Sequence, residues 1–378
     1  MGEVQSCTST GWPFIRHIPE ELRYTACDSN TVRVWSRQNR MPHLEQIGSV
    51  TTSSGGLIVV DTGYLGIWSH DQPPAMPEGA LSTDEDTKRA NSFVDLRITG
   101  SDAERAGQLL EMSWDPFFVY DQAPEHSEIE EKLKKLVHKH NLDARFEVIS
   151  PRIPHRERVN LALKHGAGAG EVQFHGIWAA AVGGVPIGQS LLVVGERMPA
   201  PDHYCRKRVL VKCNPQYSIS RSEKVGDVAV DYARLLIADF DALGAWCHED
   251  SLDGLADYVF WGRDAEKVAQ ALNAPLLAPN EFGWTNLSQA LAQERGIATE
   301  EYTQNHNLKL ATDYRPHSHH WQVMEATRNS VTESGTTIVG GEMVCNFMTT
   351  WGDGIFEVYR DLAKFDELVQ IRIELGIA

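Results

Sequence analysis

The chain has 378 residues, 42% of them hydrophobic and 23% charged, an ordinary globular composition that supports a sizeable core in two or three domains, or in one domain with a large insertion. Its formal net charge of −17 disfavours nonspecific binding to nucleic acid or to an anionic membrane surface. No apolar run approaches the ~20 residues that span a bilayer, MGEVQSCTSTGW lacks the regions of a signal peptide, and the cysteines form no C-x-x-C pair, which together fit a cytoplasmic protein.

The first strand is expected at GLIVV, Gly56 to Val60, running into DTGYLGIWSHDQPP. The following PPAMPEGALSTDEDTKRAN is rich in Pro, acid and small residues, and reads as a linker with a boundary near residue 85. FVDLRI is a strand and SDAERAGQLLEM a helix, with Ser101 and Glu104 at capping-box spacing. A second helix runs from Ser127 to about His140, with Ile129, Leu133, Leu136 and Val137 on one face. RFEVIS is a strand, and HRERVNLALKHG a helix begun after Pro154 and stopped at Gly166.

EVQF, IWAAAV, SLLVV and RVLVKC, separated by Gly and Pro, are strands. The run Arg206-Lys207-Arg208 is either a solvated strand end or a contact patch. DYARLLIADFDALGAWC reads as helix or strand through Leu236, then a short helix after Asp239. GSDAERAGQLL (Gly100 to Leu110) echoes GRDAEKVAQAL (Gly262 to Leu272), each after a strand. Either a strand–helix unit is duplicated, or the same capping chemistry is used twice. At the C-terminus EMVCNFMTT, IFEVYR and LVQIRIEL alternate apolar and polar residues, which predicts a three-stranded antiparallel meander. Trp351-Gly352-Asp353-Gly354 would be the tight tip of its first hairpin.

Two of these motifs, taken in order, carry a resemblance. SSGGLIVVDTGYL resembles an SG-x-L-x-x-x-D-P-x-Y-L element, and TTWGDGIFEVYRDL a GWGDG-x-Y-P-V-Y hairpin, as found in bacterial and phage proteins of the domain-of-unknown-function 4241 family. The matching positions are Gly55, Asp61, Tyr64, Gly352, Asp353 and Gly354, while Thr62 and Glu357 replace the usual prolines. That family has no general activity to transfer. The resemblance implies a bacterial protein with a large central insertion. The expected fold class is α+β, with an antiparallel β-sheet domain formed from both chain ends (1–84 plus 331–378). A central mixed α/β region (85–330) lies between them, divisible into 85–215 and 216–330.

Several clusters are candidates for chemistry. Asp353, flanked by glycines, suits a ligand or cation, with Trp351 as an apolar platform; the plainer alternative is a self-bonded turn. In DYRPHSHHW an extended path would place His317 and His319 on one face and His320 on the other, a candidate metal site; the alternative is a polar loop. Asp239 and Asp241 suit either Mg²⁺ or helix capping. HGAGAGE follows a helix rather than opening one, which favours a C-cap over a phosphate loop. His70 lies downstream of Asp61 and, if the chain ends meet, would approach Asp353 as a general base. Asp61, Tyr64, His70, Trp351 and Asp353 are therefore the candidate ligand-binding residues, with His317, His319 and His320 for a divalent metal. The leading expectation is a binding or interaction module of the immunity or accessory kind, taking a small molecule or a basic protein partner. The alternative is a metal-dependent hydrolase.

Overall fold

The structure, a computed structural model, describes residues 43–74, 92–110, 120–122, 127–198 and 205–376. The chain opens with β1 (His43–Val50), β2 (Gly56–Asp61) and a 3-10 turn over Thr62–Ile67. A small αβ unit follows: β3 (Val94–Thr99), α1 (Ala103–Leu109), β4 (Tyr120–Gln122), α2 (Ser127–His140) and β5 (Arg145–Ile149). Then come α3 (His155–His165), β6 (Ala169–Phe174), β7 (Ile177–Gly183), β8 (Leu191–Met198) and β9 (Cys205–Lys212). The sequence continues with β10 (Arg221–Val230), β11 (Arg234–Asp239) and a 3-10 turn over Ala242–Ala245. A second αβ unit contains β12 (Leu255–Trp261), α4 (Ala265–Leu272), β13 (Leu276–Ala278), β14 (Glu281–Ser288), α5 (Gln289–Asn305) and β15 (Ala311–Pro316). The chain closes with α6 (His319–Arg328), β16 (Ser334–Val339), β17 (Glu342–Met348), β18 (Gly354–Leu362) and β19 (Leu368–Glu374).

This is an α+β fold built on two facing sheets. One six-stranded sheet runs β1-β8-β9-β19-β18-β10, the other β16-β17-β11-β2-β7-β6. Their inner faces share a core in which Leu57, Val59, Leu235 and Ile237 meet Val193, Val211, Val358 and Ile371. The outer face of the second sheet, with Ile58, Val60, Leu236 and Ala238, is covered by Val159 of α3 and Val323 of α6. β2 and β11 are thus buried on both faces, which is why GLIVV and LLIA are continuously apolar instead of alternating. Each buried aliphatic side chain there contributes roughly 1.5–3 kcal/mol over an exposed one.

Both sheet orders are palindromes of the chain, and this reveals a duplication. β1, β8 and β9 mirror β10, β18 and β19, and β2, β7 and β6 mirror β11, β17 and β16. At the centre β2 pairs antiparallel with β11, Leu57 opposite Asp239, Val59 opposite Ile237 and Asp61 opposite Leu235. That register maps onto itself when the two strands are exchanged, so a pseudo-two-fold axis passes through the Val59–Ile237 pair.

The αβ units repeat in the same way. Gly100 and Gly262 turn from strand to helix at φ +114° and +122°, where an added Cβ would meet Asp143 or Leu310. Asp102 donates its backbone N–H to Asp143 O at 3.0 Å and accepts from Asp143 N at 2.8 Å. Asp264 does the same with Lys309, at 3.1 and 2.7 Å. The second helix of each unit ends in a left-handed asparagine, Asn141 at φ 48° and Asn307 at φ 49°. The echo between GSDAERAGQLL and GRDAEKVAQAL is one visible part of a repeat that spans the described chain.

Several expectations need correction. Residues 85–330 are not a region apart, because β6 to β11 lie within the two large sheets. GLIVV does share a sheet with β17 and packs on β18 and β19, but through β11 and β7 rather than as part of a domain made from the chain ends alone. The C-terminal meander is broken: β17 pairs with β16 and β11, and β18 with β10 and β19. The Trp351–Gly354 stretch is therefore a corner between sheets, not a hairpin tip. Its physical cause is that Phe347 and Phe356 both point into the inter-sheet core from opposite layers. Ser101 does not close a capping box, since its N–H and hydroxyl both donate to Asp143. The boundary near residue 85 lies outside the described residues. No helix among the described residues is long and apolar enough to cross a membrane.

Candidate functional site

Each half crosses from sheet to sheet beside the pseudo-two-fold axis, and each crossing is tied down by a buried aspartate of the other half. Asp239, at the end of β11, accepts from Thr52 Oγ1 at 2.6 Å and from the N–H groups of Ser53 and Ser54, both at 2.9 Å. It also caps its own chain, accepting from Asp241 N at 2.7 Å and Ala242 N at 3.0 Å. Asp61, at the end of β2, accepts from Asp231 N at 2.6 Å, Tyr232 N at 2.9 Å and Gly63 N at 2.8 Å. Both carboxylates are fully buried.

Their environments push them in opposite directions. At Asp239 burial opposes the charge, yet the hydrogen bonds led by Thr52 outweigh it and hold the carboxyl below its ordinary value. At Asp61 burial dominates three backbone hydrogen bonds and, with Asp231 adding repulsion, raises the carboxyl to about 6.

The corner at Asp61 carries further polar groups. Tyr64 is buried and donates its hydroxyl to Asp231 Oδ2 at 3.1 Å, and its ring meets Tyr232 edge-on at 5.7 Å. Burial, then Asp231, raises its phenol. Asp353 accepts from Ala233 N at 3.1 Å, and burial followed by repulsion from Asp231 raises its carboxyl. Trp351 is 61% exposed and Ile355 52%. Arg206, buried beneath the corner, donates to Met348 O at 3.0 Å, and its N–H donates to Thr350 Oγ1 at 3.0 Å. Arg206 of the basic run thus supports the corner from inside, while Arg208 pairs with Glu196, and burial lowers the Arg206 guanidinium to about 10.

Asp61, Tyr64 and Asp353 therefore meet around Asp231, a residue the sequence reading did not single out. His70 does not join them. Its ring packs on Gly244, where a Cβ would approach its Nε2 to 2.7 Å, and its Nδ1 lies 3.0 Å from Asp71. His248 takes the matching place against Gly66 in the other half. The signal was present in the chain: D-x-x-x-L-G-x-W-x-H occurs at Asp61 to His70 and again at Asp239 to His248.

The three-histidine metal set is also corrected. β15 ends at Pro316, and Ser318 caps α6 by accepting from Trp321 N at 3.1 Å, so His319 and His320 lie in a first helical turn. His317 is clamped between Asp253 at 3.0 Å and Asp257 at 3.1 Å and stacks on Trp321. His319 accepts from Cys247 N at 3.0 Å and stacks on Trp246. In the first half His155 does the same with Ser69 N at 2.9 Å beside Trp68, so His319 belongs to the repeated framework. His320 faces His248 with ring centroids 4.2 Å apart, and burial lowers the two imidazoles to about 4 and about 3. Among the described residues no group of three or more His, Cys, Asp or Glu is placed to hold a metal ion.

Comparisons with protein families, with characterised proteins and with solved structures find no significant match.

Proposed function

We propose that the protein is an interaction module that captures a basic protein partner at the corner formed by Trp351, Asp353 and Asp231, with Tyr64 and Asp61 behind them. One observation carries this reading: the corner is built twice, both copies keep a buried aspartate, Asp61 or Asp239, and only the second bears the indole, the phenol and the two further acids. Between Gly183 and Leu191, and between Met348 and Phe356, the chain takes the same number of residues. Position by position, Pro186 and Gly188 stand where the second half has Trp351 and Asp353. Ser53 stands for Asp231, and Ala242 for Tyr64. The first corner folds without an indole or these acids, so closing the corner does not require them. The paths differ in detail, since the left-handed glycines are Gly184 and Gly188 in one and Gly352 in the other.

The chemistry suits a lysine or arginine side chain. An exposed indole attracts a cation over its face with roughly 0.5–2 kcal/mol. Asp353 and Asp231 repel one another, and a guest cation relieves that repulsion. The net charge of −17 steers a basic protein towards the surface. An accessory or immunity-type role in a bacterial cytoplasm follows from this reading. The metal-dependent hydrolase reading needed three converging imidazoles, whereas His317 is bonded to Asp253 and Asp257 and His319 to Cys247 N.

Calorimetric titration with a lysine- and arginine-rich peptide tests the proposal. Trp351→Ala and Asp353→Asn should each weaken binding about tenfold, with affinity falling as salt rises. Ile187→Ala, in the first-half corner, should leave it unchanged. Equal binding by all three variants would overturn the assignment.

A further inference from the structure

The two αβ units also differ, and the difference opens a second site remote in sequence from the corner. In the second unit Ala256, Tyr258 and Phe260 of β12 face α4 and α5, so Asp257, Val259 and Trp261 lie on the opposite face of the sheet. Between that face and the last turn of α6 lies a cleft of about 470 Å³, lined by Trp261, Asn280, Glu281, Asp313, Arg315 and Arg328. Its volume falls in the range of small-molecule sites, and it sits where a small unit meets the sandwich, a common place for one.

We propose that this cleft binds a small planar anion, an aromatic ring that carries a carboxylate or phosphate. Trp261 is 39% exposed at the end of β12 and offers its indole as a stacking surface. Arg315 is held in place by Asp313 Oδ2 at 2.6 Å and Glu281 Oε1 at 3.1 Å. These bonds take its Nε and Nη1, which leaves its Nη2 and the Arg328 guanidinium as the donors for an anion. Arg328 ends α6 with its side chain 48% exposed and only a loose 3.6 Å contact to Glu325. It is free to swing onto an anion, and a guanidinium grips carboxylate or phosphate through paired N–H groups. Asn280, in the turn between β13 and β14, adds an amide.

The first half lacks this chemistry. Strand register puts Thr99 in the place of Trp261 and Ile149 in the place of Arg315, and Lys164, in the last turn of α3, stands where Arg328 ends α6. The repeated framework forms without the indole and without either guanidinium, so these groups are additions to it.

Ligand-observed NMR and calorimetry on the full chain, with adenosine 5′-monophosphate and indole-3-acetate as probes, test the proposal. Adenosine, indole and inorganic phosphate supply the ring or the charge alone. At least one anionic probe should bind, and its ring-only and charge-only counterparts about tenfold or more weakly. Arg328→Ala and Trp261→Ala should each weaken the bound probe about tenfold, and Trp261→Phe should retain most of the affinity. Should Trp261→Ala unfold, Arg328→Ala at the exposed helix end still decides. The proposal is overturned if neither anion binds, if the uncharged rings bind as well, or if Arg328→Ala changes nothing.

Discussion

Asp61 and Asp239 occupy equivalent positions but are not equivalent acids. Asp61, raised to about 6 from an ordinary 3.8, contributes stability that is full below the unfolded value and is lost as pH rises through about 6. Asp239, lowered, contributes stability that is present above 3.8 and is lost only as pH falls through its folded value. Urea unfolding should therefore show the wild type gaining on Asp61→Asn as pH falls from 8 to 5. The margin over Asp239→Asn should stay flat across that window, at about 3 kcal/mol, because the substitution disrupts acceptance from a set of buried donors. Parallel pH trends for the two variants would contradict the assignment. His317 gives a second titration. Burial opposes its charge, but Asp253 and Asp257 outweigh it and raise the imidazole. Its stabilisation is complete below its unfolded value and fades as pH rises through the folded one. Thermal melts between pH 6 and 9 should fall more steeply for wild type than for His317→Gln, and equal slopes would remove the clamp from the account. The first half answers the same need with permanent cations, since Asp95 is held by Arg152 and Arg158.

At the scale of elements, β2 and β11 hold the two halves together. Ile237→Ala, opposite Val59 in a fully buried pair, should cost about 2–5 kcal/mol by chemical denaturation; a change under 1 kcal/mol would show that this strand pair is not central. Most strands were legible because their apolar residues are also their local signature: GLIVV, IWAAAV, RVLVKC and LVQIRIEL all became strands. Partner choice was not legible. Alternation in EMVCNFM and IFEVYR shows which side is buried, not which sheet the strand joins. Phe347 and Phe356 would alternate identically in a hairpin or across a corner. The histidines failed for a related reason. DYRPHSHHW gives no apolar period, so only the Ser318 cap marks the change from strand to helix, and it turns His319 away from His317. Asp61, Tyr64 and Asp353 were chosen from two motifs far apart in sequence. Asp231, which links them, carries no local mark and is found only once the halves are superposed.

The whole molecule is a fused pair of similar halves, joined through residues 213–220 between β9 and β10. Each half alone would expose the cut edges of β2 and β9, or of β11 and β19, in two sheets. Residues 1–216 and 217–378, produced as separate chains, should be insoluble alone and assemble as a one-to-one complex when coexpressed. A stable, folded single half would show that the pseudo-two-fold interface is dispensable. Within this frame one copy keeps the plain corner and the other carries the acids and the indole. The most direct test converts the second corner into the first with Asp231→Ser, Trp351→Pro and Asp353→Gly. The account predicts that the converted protein melts within a few degrees of wild type and no longer binds the basic peptide. Retained binding would contradict it, and so would loss of the fold, which would show these residues to be structural supports.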